Sequence, residues 1–211
     1  MAKEKPVIDV STNGHYVIKN LDDIENSKRE KLDSREIMIL CRCGGSEAKP
    51  FCDGTHGKIG FDQKKSPKRV PDKVDDYEGK EVTINDNRGV CSHAAYCSNG
   101  LPSVWTFGKE PWIDPDGADG EKIIKQIKKC PSGALSYTLK GERYQNLERE
   151  PKIIVSKNGP YYIQGSIKLA DNIGSKPEAE EHFSLCRCGA SKNKPFCDGS
   201  HWKIKFNDLK N

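Results

Sequence analysis

Two stretches of the chain have residue types and spacing suited to metal chemistry, and they are nearly the same stretch. Cys41 to His56 reads CRCGGSEAKPFCDGTH and Cys186 to His201 reads CRCGASKNKPFCDGSH, so three cysteines and a histidine recur as C-x-C-x8-C-x3-H. Thiolates one residue apart can bite one metal ion. A cysteine and a histidine at i and i+4 share one face of a helical turn and can bite another. Such a set suits two irons bridged by sulfide or, with all four donors on one ion, a tetrahedral Cys3His zinc site. Zinc hooks usually space their cysteines two to four residues apart, and the C-x-C bite departs from that. Three more cysteines, Cys91, Cys97 and Cys130, lie between the two stretches.

A constant offset shows which elements hold the loops. Cys186 follows Cys41 by 145 residues, and the same shift lays Pro6–Asn20 on Pro151–Gly165 and His56–Phe61 on His201–Phe206 without a gap. The duplicated unit is a strand, a turn at Asn13-Gly14 or Asn158-Gly159, a second strand, a variable charged loop and the ligand loop. Alternation in VIDV and HYVI predicts strands with one buried face. Within the loops, Asp53 and Asp198 stand in N-cap-like positions. Gly54 and Gly199 are free to take a left-handed turn, and Thr55 and Ser200 can hydrogen-bond back to it.

Composition limits what these units can be. Of 211 residues, 34% are hydrophobic and 31% charged, which favours small metal-stapled modules over one large core. The opening MAKEKPVIDV has no apolar stretch after it, and the longest apolar run, Ile37 to Cys41, is far too short to span a bilayer. The expected setting is the reducing cytoplasm, where clustered cysteines bind metal rather than form disulfides. A net charge of +4 with interspersed acids makes no demand for nucleic acid. The lysine-rich Asp62–Lys73 reads as a solvated linker.

Both loops match C-x-C-x2-[S/T]-x3-P-x-C-D-G-[S/T]-H, and in this they resemble the CDGSH iron-sulfur (mitoNEET-like, NEET) family. The resemblance implies a [2Fe-2S] cluster in each loop and displaces the zinc reading. Cys41 and Cys43 would hold one iron, with Cys52 and His56 on the other; Cys186 and Cys188 would pair likewise, with Cys197 and His201 opposite. Family members with one motif form an intertwined homodimer under a β-cap. Two motifs on one chain imply an intramolecular pseudo-dimer, a monomer with internal pseudo-twofold symmetry and no membrane anchor. A histidine in place of a thiolate removes a negative charge, which should raise the reduction potential above that of an all-cysteine cluster.

Between the modules, Val82–Leu139 predicts a strand, a loop holding Cys91 and Cys97, and a helix capped by Asp119 that buries Ile123, Ile124 and Ile127. Cys130-Pro131 follows, then a strand in ALSYTL. The pattern CSHAAYC…CPSGAL resembles the divergent mono-cluster ferredoxin domain. Where a ferredoxin loop has its middle cysteine, this chain has Ala94. Three thiolates suffice for a [3Fe-4S] cluster, or for a [4Fe-4S] cluster whose fourth iron takes another ligand, His93 being nearest. Trp105, Phe107 and Trp112 are expected to pack this domain.

The organisation expected is α+β, mostly β: a CDGSH module over 1–65, a charged linker over 66–80, the ferredoxin-like domain over 81–140, a linker over 141–150 and a second CDGSH module over 151–211. No Gly-x-Gly-x-x-Gly, P-loop or nucleophile with its base is present, so no enzyme is expected. Two functions fit. One is an electron carrier serving a flavin or iron-sulfur redox protein; the other is a cluster donor to an apo-acceptor protein, or a pH or redox sensor.

Overall fold

The structure is a computed structural model and describes residues 4–209 and 211. The first module contributes β1 (Val7–Val10), β2 (Tyr16–Lys19), β3 (Ile24–Glu25), β4 (Ile37–Leu40) and the single-turn helix α1 (Thr55–Lys58). The insert follows with β5 (Val74–Glu78), β6 (Thr83–Asn87), α2 (Tyr96–Gly100), α3 (Gly120–Ile127), β7 (Leu135–Leu139) and β8 (Glu142–Tyr144). The second module then repeats the first as β9 (Lys152–Val155), β10 (Tyr161–Gln164), β11 (Lys168–Ala170), β12 (His182–Leu185) and α4 (Ser200–Lys203).

The two modules exchange strands. One sheet runs β11-β1-β2-β4 and the other β12-β10-β9-β3, so each takes three strands from its own module and one from the other. The exchanged strands are counterparts under the 145-residue offset, and both pair in parallel: Ile8 with Leu169, Ile24 with Ile153. This reciprocal pairing is the intramolecular pseudo-dimer expected from the resemblance. Alternation places Ile8, Val10, Tyr16, Ile18, Met38 and Leu40 in the core, while Ile37 and Ile39 face out. In the second module all four residues of β12 are buried, because the insert covers the face that solvent would otherwise wet.

The insert forms an antiparallel sheet of order β5-β6-β7-β8 with α3 against it. The Asp119 carboxylate accepts the Lys122 N–H at 2.9 Å, and Ile123 and Ile127 are buried with Ile124 partly so, as the spacing predicts. Trp105 is fully buried and Trp112 packs on the core. Phe107 departs from expectation and is 96% exposed at a turn. The stretches read as linkers, 66–80 and 141–150, supply the outer strands β5 and β8. Their charged sequences, VDDYE and ERY, suit sheet edges that stay in water. The insert is bonded to the second module: Asn193 Nδ2 donates to the Gly89 carbonyl at 2.8 Å, Ser184 Oγ to the Pro131 carbonyl at 3.1 Å, and Arg143 pairs with Glu178 at 2.7 Å.

At the pseudo-twofold axis Tyr16 and Tyr161 meet edge to face, ring centroids 6.1 Å apart. Each hydroxyl crosses to the other module's ligand loop. Tyr161 donates to the Cys41 and Pro50 carbonyls, both at 2.9 Å, and Tyr16 to the Cys186 and Pro195 carbonyls at 2.9 and 3.1 Å. Tyr161→Phe therefore strips a donor from the first loop, at a cost of about 1–3 kcal/mol for the buried carbonyl left unpaired. Thermal release of metal should accelerate at Cys41–His56 and not at Cys186–His201; a loss confined to the second loop would refute the crossed bracing.

Candidate metal centres

Each ligand loop is pinned at both ends. Cys41 N–H donates to the Pro50 carbonyl at 2.8 Å and Cys52 N–H to the Ile39 carbonyl at 2.9 Å. The second loop repeats this with Cys186 to Pro195 at 2.8 Å and Cys197 to Ser184 at 2.9 Å. Ser46 Oγ and Ser191 Oγ brace the interiors by donating to the Phe51 and Phe196 carbonyls, both at 2.7 Å. The Thr55 hydroxyl first, then the Glu47 and Thr55 N–H groups that the Asp53 carboxylate accepts at 2.9 and 3.0 Å, hold Asp53 below the usual carboxylate range. Asp198 accepts Ser200 and Lys192 at 3.0 and 2.8 Å. Gly54 and Gly199, with φ of 84° and 80°, turn the chain into α1 and α4, and those single turns present His56 and His201 beside Cys52 and Cys197.

The donors fall into pairs. Cys41 and Cys43 sulfurs are 3.8 Å apart and Cys52 Sγ lies 3.4 Å from His56 Nδ1; in the second loop the distances are 3.7 and 3.4 Å. Backbone N–H groups point at sulfur: Gly45 to Cys43 and Gly54 to Cys52 at 3.4 Å, Gly199 to Cys197 at 3.5 Å. Such donors favour the thiolate that metal requires. Burial works the other way, pushing the Cys43 thiol up to about 11 and Cys197 well above its ordinary value. Loading metal must displace those protons, so binding strengthens as pH rises.

Inside each C-x-C lies a buried arginine. Arg187 donates from Nε to the Gly159 carbonyl at 2.6 Å and from Nη2 to the Ser156 carbonyl at 2.7 Å, and it pairs with Asp208 at 2.5 Å. Arg42 instead meets the Gln63 amide oxygen at 3.1 Å and the Ser11 carbonyl at 3.3 Å. Gln63 and Asp208 are counterparts under the offset. The first loop thus has an amide where the second has a carboxylate. The two loops lie back to back, with Gly44 against the Cys188 carbonyl and Gly189 against that of Cys43. Neither the crossed tyrosines nor the buried arginines were singled out from the sequence. Their shared 145-residue spacing was the signal that could have found them.

Exposure separates the two sites. Cys52 and His56 are half-buried, with Asp53 and Gly54 exposed, whereas Cys197 and His201 are 2% and 5% exposed. The insert makes the difference: the His93 ring lies against Gly199, and the His93 carbonyl accepts Trp202 Nε1–H at 3.1 Å. Burial, with His93 nearby, lowers His201 to about 4.

Cys91, Cys97 and Cys130 line a single cavity of about 630 Å³, together with His93, Ala94 and Trp112. His93 N–H donates to Cys91 Sγ at 3.4 Å, and burial pushes that thiol up to about 12. Arg88 sits over the Trp112 ring at 4.1 Å and pairs with Asp86 at 2.7 Å. Three cysteines lining one cavity, with the Arg88 guanidinium near Cys91 and Cys97, suit an anionic cluster. Ala94, at the position of a ferredoxin loop's middle cysteine, lines the same cavity. His93 lines the same cavity and also touches the second loop, between the middle site and Cys197–His201.

Comparison with known proteins agrees with this geometry. The sequence model described as iron-binding zinc finger, CDGSH type, matches residues 13–57 and 158–202, and that of a divergent 4Fe-4S mono-cluster matches 77–140. A curated relative from Escherichia coli (strain K12), "Uncharacterized protein YjdI", is 36% identical over 61 residues, 29% of this chain and 80% of its own length. Its namesake from Escherichia coli O157:H7 matches to the same extent. No solved structure matches the chain. With two complete ligand loops and three thiols around a third cavity, the chain belongs to the CDGSH iron-binding family and is an iron-sulfur protein, with a divergent 4Fe-4S mono-cluster domain between its two CDGSH motifs.

Proposed function

We propose that the protein is an electron carrier holding a [2Fe-2S] cluster on Cys41, Cys43, Cys52 and His56, and another on Cys186, Cys188, Cys197 and His201. A third, [3Fe-4S] or [4Fe-4S], sits on Cys91, Cys97 and Cys130. The pairing of donors supports binuclear sites. A single tetrahedral ion needs every pair of its ligands about 3.5–3.8 Å apart. Among the described residues, Cys41 and Cys43 do not join Cys52 and His56 in a group within 4.8 Å. Electron transfer is supported above all by the contiguity of the three sites: His93 joins the middle one to the second loop, and the Cys43 and Cys188 backbones join the second to the first. Such clusters supply one-electron chemistry at potentials set by charge and hydrogen bonding. The protein's own part is to hold the donors, screen the inner sites and leave the first exposed to a flavin or iron-sulfur partner.

The half-exposed first loop favours a second reading, delivery of a cluster to an apo-acceptor. Nine free cysteines fit a reducing compartment such as the cytoplasm, and no helix among the described residues is long and apolar enough to cross a membrane. The test is the double substitution His56→Cys/His201→Cys. Restoring two thiolates should lower both binuclear potentials, by on the order of 100 mV or more, and keep colour in acid where wild type bleaches. Unchanged potentials and bleaching would refute the ligand roles. Transfer to an apo-ferredoxin faster than spontaneous loss would select delivery over electron transfer.

A further inference from the structure

The two modules differ where the β1–β2 turn enters its second strand. The first has His15 there, and its counterpart in the second is Pro160. The His15 ring stands edge-on to His56 with centroids 5.4 Å apart, and the donor atoms of His15, Cys52 and His56 all lie within 4.8 Å of one another. His15 Nδ1 is buried and has no hydrogen-bond partner, so no other contact claims that atom. No second group of three such donors comes together among the described residues. Ligands of one ion stand about 3.5 Å apart, so a side-chain movement on the order of 1 Å would bring His15 into the coordination sphere that Cys52 and His56 define.

Resting on the binuclear reading above, we propose that His15 is a reserve ligand for the outer iron of the first module. When His56 leaves, His15 takes its place: one Fe–N bond breaks and another forms, both imidazoles are neutral, and the oxidation state of the iron is unchanged. The second module has no such reserve, since Pro160 offers no donor. The reserve therefore stands at the site that solvent and a docking partner reach, and the shielded site lacks it.

The experiment uses the full chain in a His201→Cys background, where any histidine-type nitrogen coupling on a reduced binuclear cluster comes from the first module. Iron and sulfide content and pulsed electron paramagnetic resonance are compared for this background, for added His56→Ala, and for added His15→Ala/His56→Ala. The all-cysteine second cluster in each molecule reports that it is folded. His56→Ala should keep the first cluster and its nitrogen coupling, and the double substitution should hold about tenfold less of it. A His56→Ala protein as empty as the double, or one keeping its cluster without nitrogen coupling, overturns the reserve ligand alone. A background protein with no nitrogen-coupled binuclear signal overturns the cluster reading and the inference with it.

Discussion

Gly189→Ala should empty both CDGSH loops at once. Gly189 has φ of 78° and lies so close to the Cys43 carbonyl that an added Cβ would fall well inside van der Waals contact. Gly44, at φ 80°, would place its Cβ 2.5 Å from the Cys188 carbonyl oxygen. An alanine at either position incurs about 1 kcal/mol of left-handed strain and then forces the two cysteine backbones apart, for a total of several kcal/mol. Because the obstruction falls on a ligand of the opposite module, neither loop can escape it. Gly54→Ala is the control. Its φ is 84°, but its Cβ would meet open space, so only the strain applies and the metal should stay. Iron content and thermal unfolding of the three variants decide the matter. A Gly189→Ala protein that lost only its own module's metal would show that the loops do not depend on each other.

Ala94→Cys should convert the middle site. Protein isolated in air is expected to show a [3Fe-4S] signal, or no middle cluster, beside two intact binuclear clusters, since the iron without a thiolate is the most easily lost. Ala94 lines the cavity with Cys91, Cys97 and Cys130, so a sulfur there enters the same space. Iron should rise from about seven per chain or fewer to about eight, with the [3Fe-4S] signal gone. Iron at the level of two binuclear clusters only, in anaerobic wild type and variant alike, would leave the insert as a clusterless docking domain.

What could be read from the sequence was whatever is local or repeated. The ligand spacing, the Asn-Gly turns, the Asp119 cap and the isoleucine stripe of α3 each follow from residues a few positions apart. The pairing of β3 with β9 does not. A two-residue strand carries no signal of its partner, and a shared offset gives counterparts without saying whether they exchange; the expectation came from the family. Nothing local marks Arg42 and Arg187 as buried, because their burial depends on Gln63 and Asp208 and on carbonyls in the hairpin turns. Phe107 misled for the opposite reason, since an aromatic side chain in a turn says nothing of which way the turn faces.

The exchanged strands also set an order on synthesis. A nascent chain can form β1, β2 and β4 as soon as they emerge, but β3 lacks its partner strand until β9 emerges, and the edge of β1 stays open until Lys168–Ala170 leave the ribosome. The insert, whose antiparallel neighbours are nearer in sequence at each hairpin, can close sooner. The first ligand loop therefore waits for most of the polypeptide, its Tyr161 brace and its Gly189 backing both being encoded more than a hundred residues downstream. Cofactor insertion at Cys41–His56 becomes a late, post-translational event, and a chain truncated before the second module would present an unfinished sheet edge and unbraced thiols together.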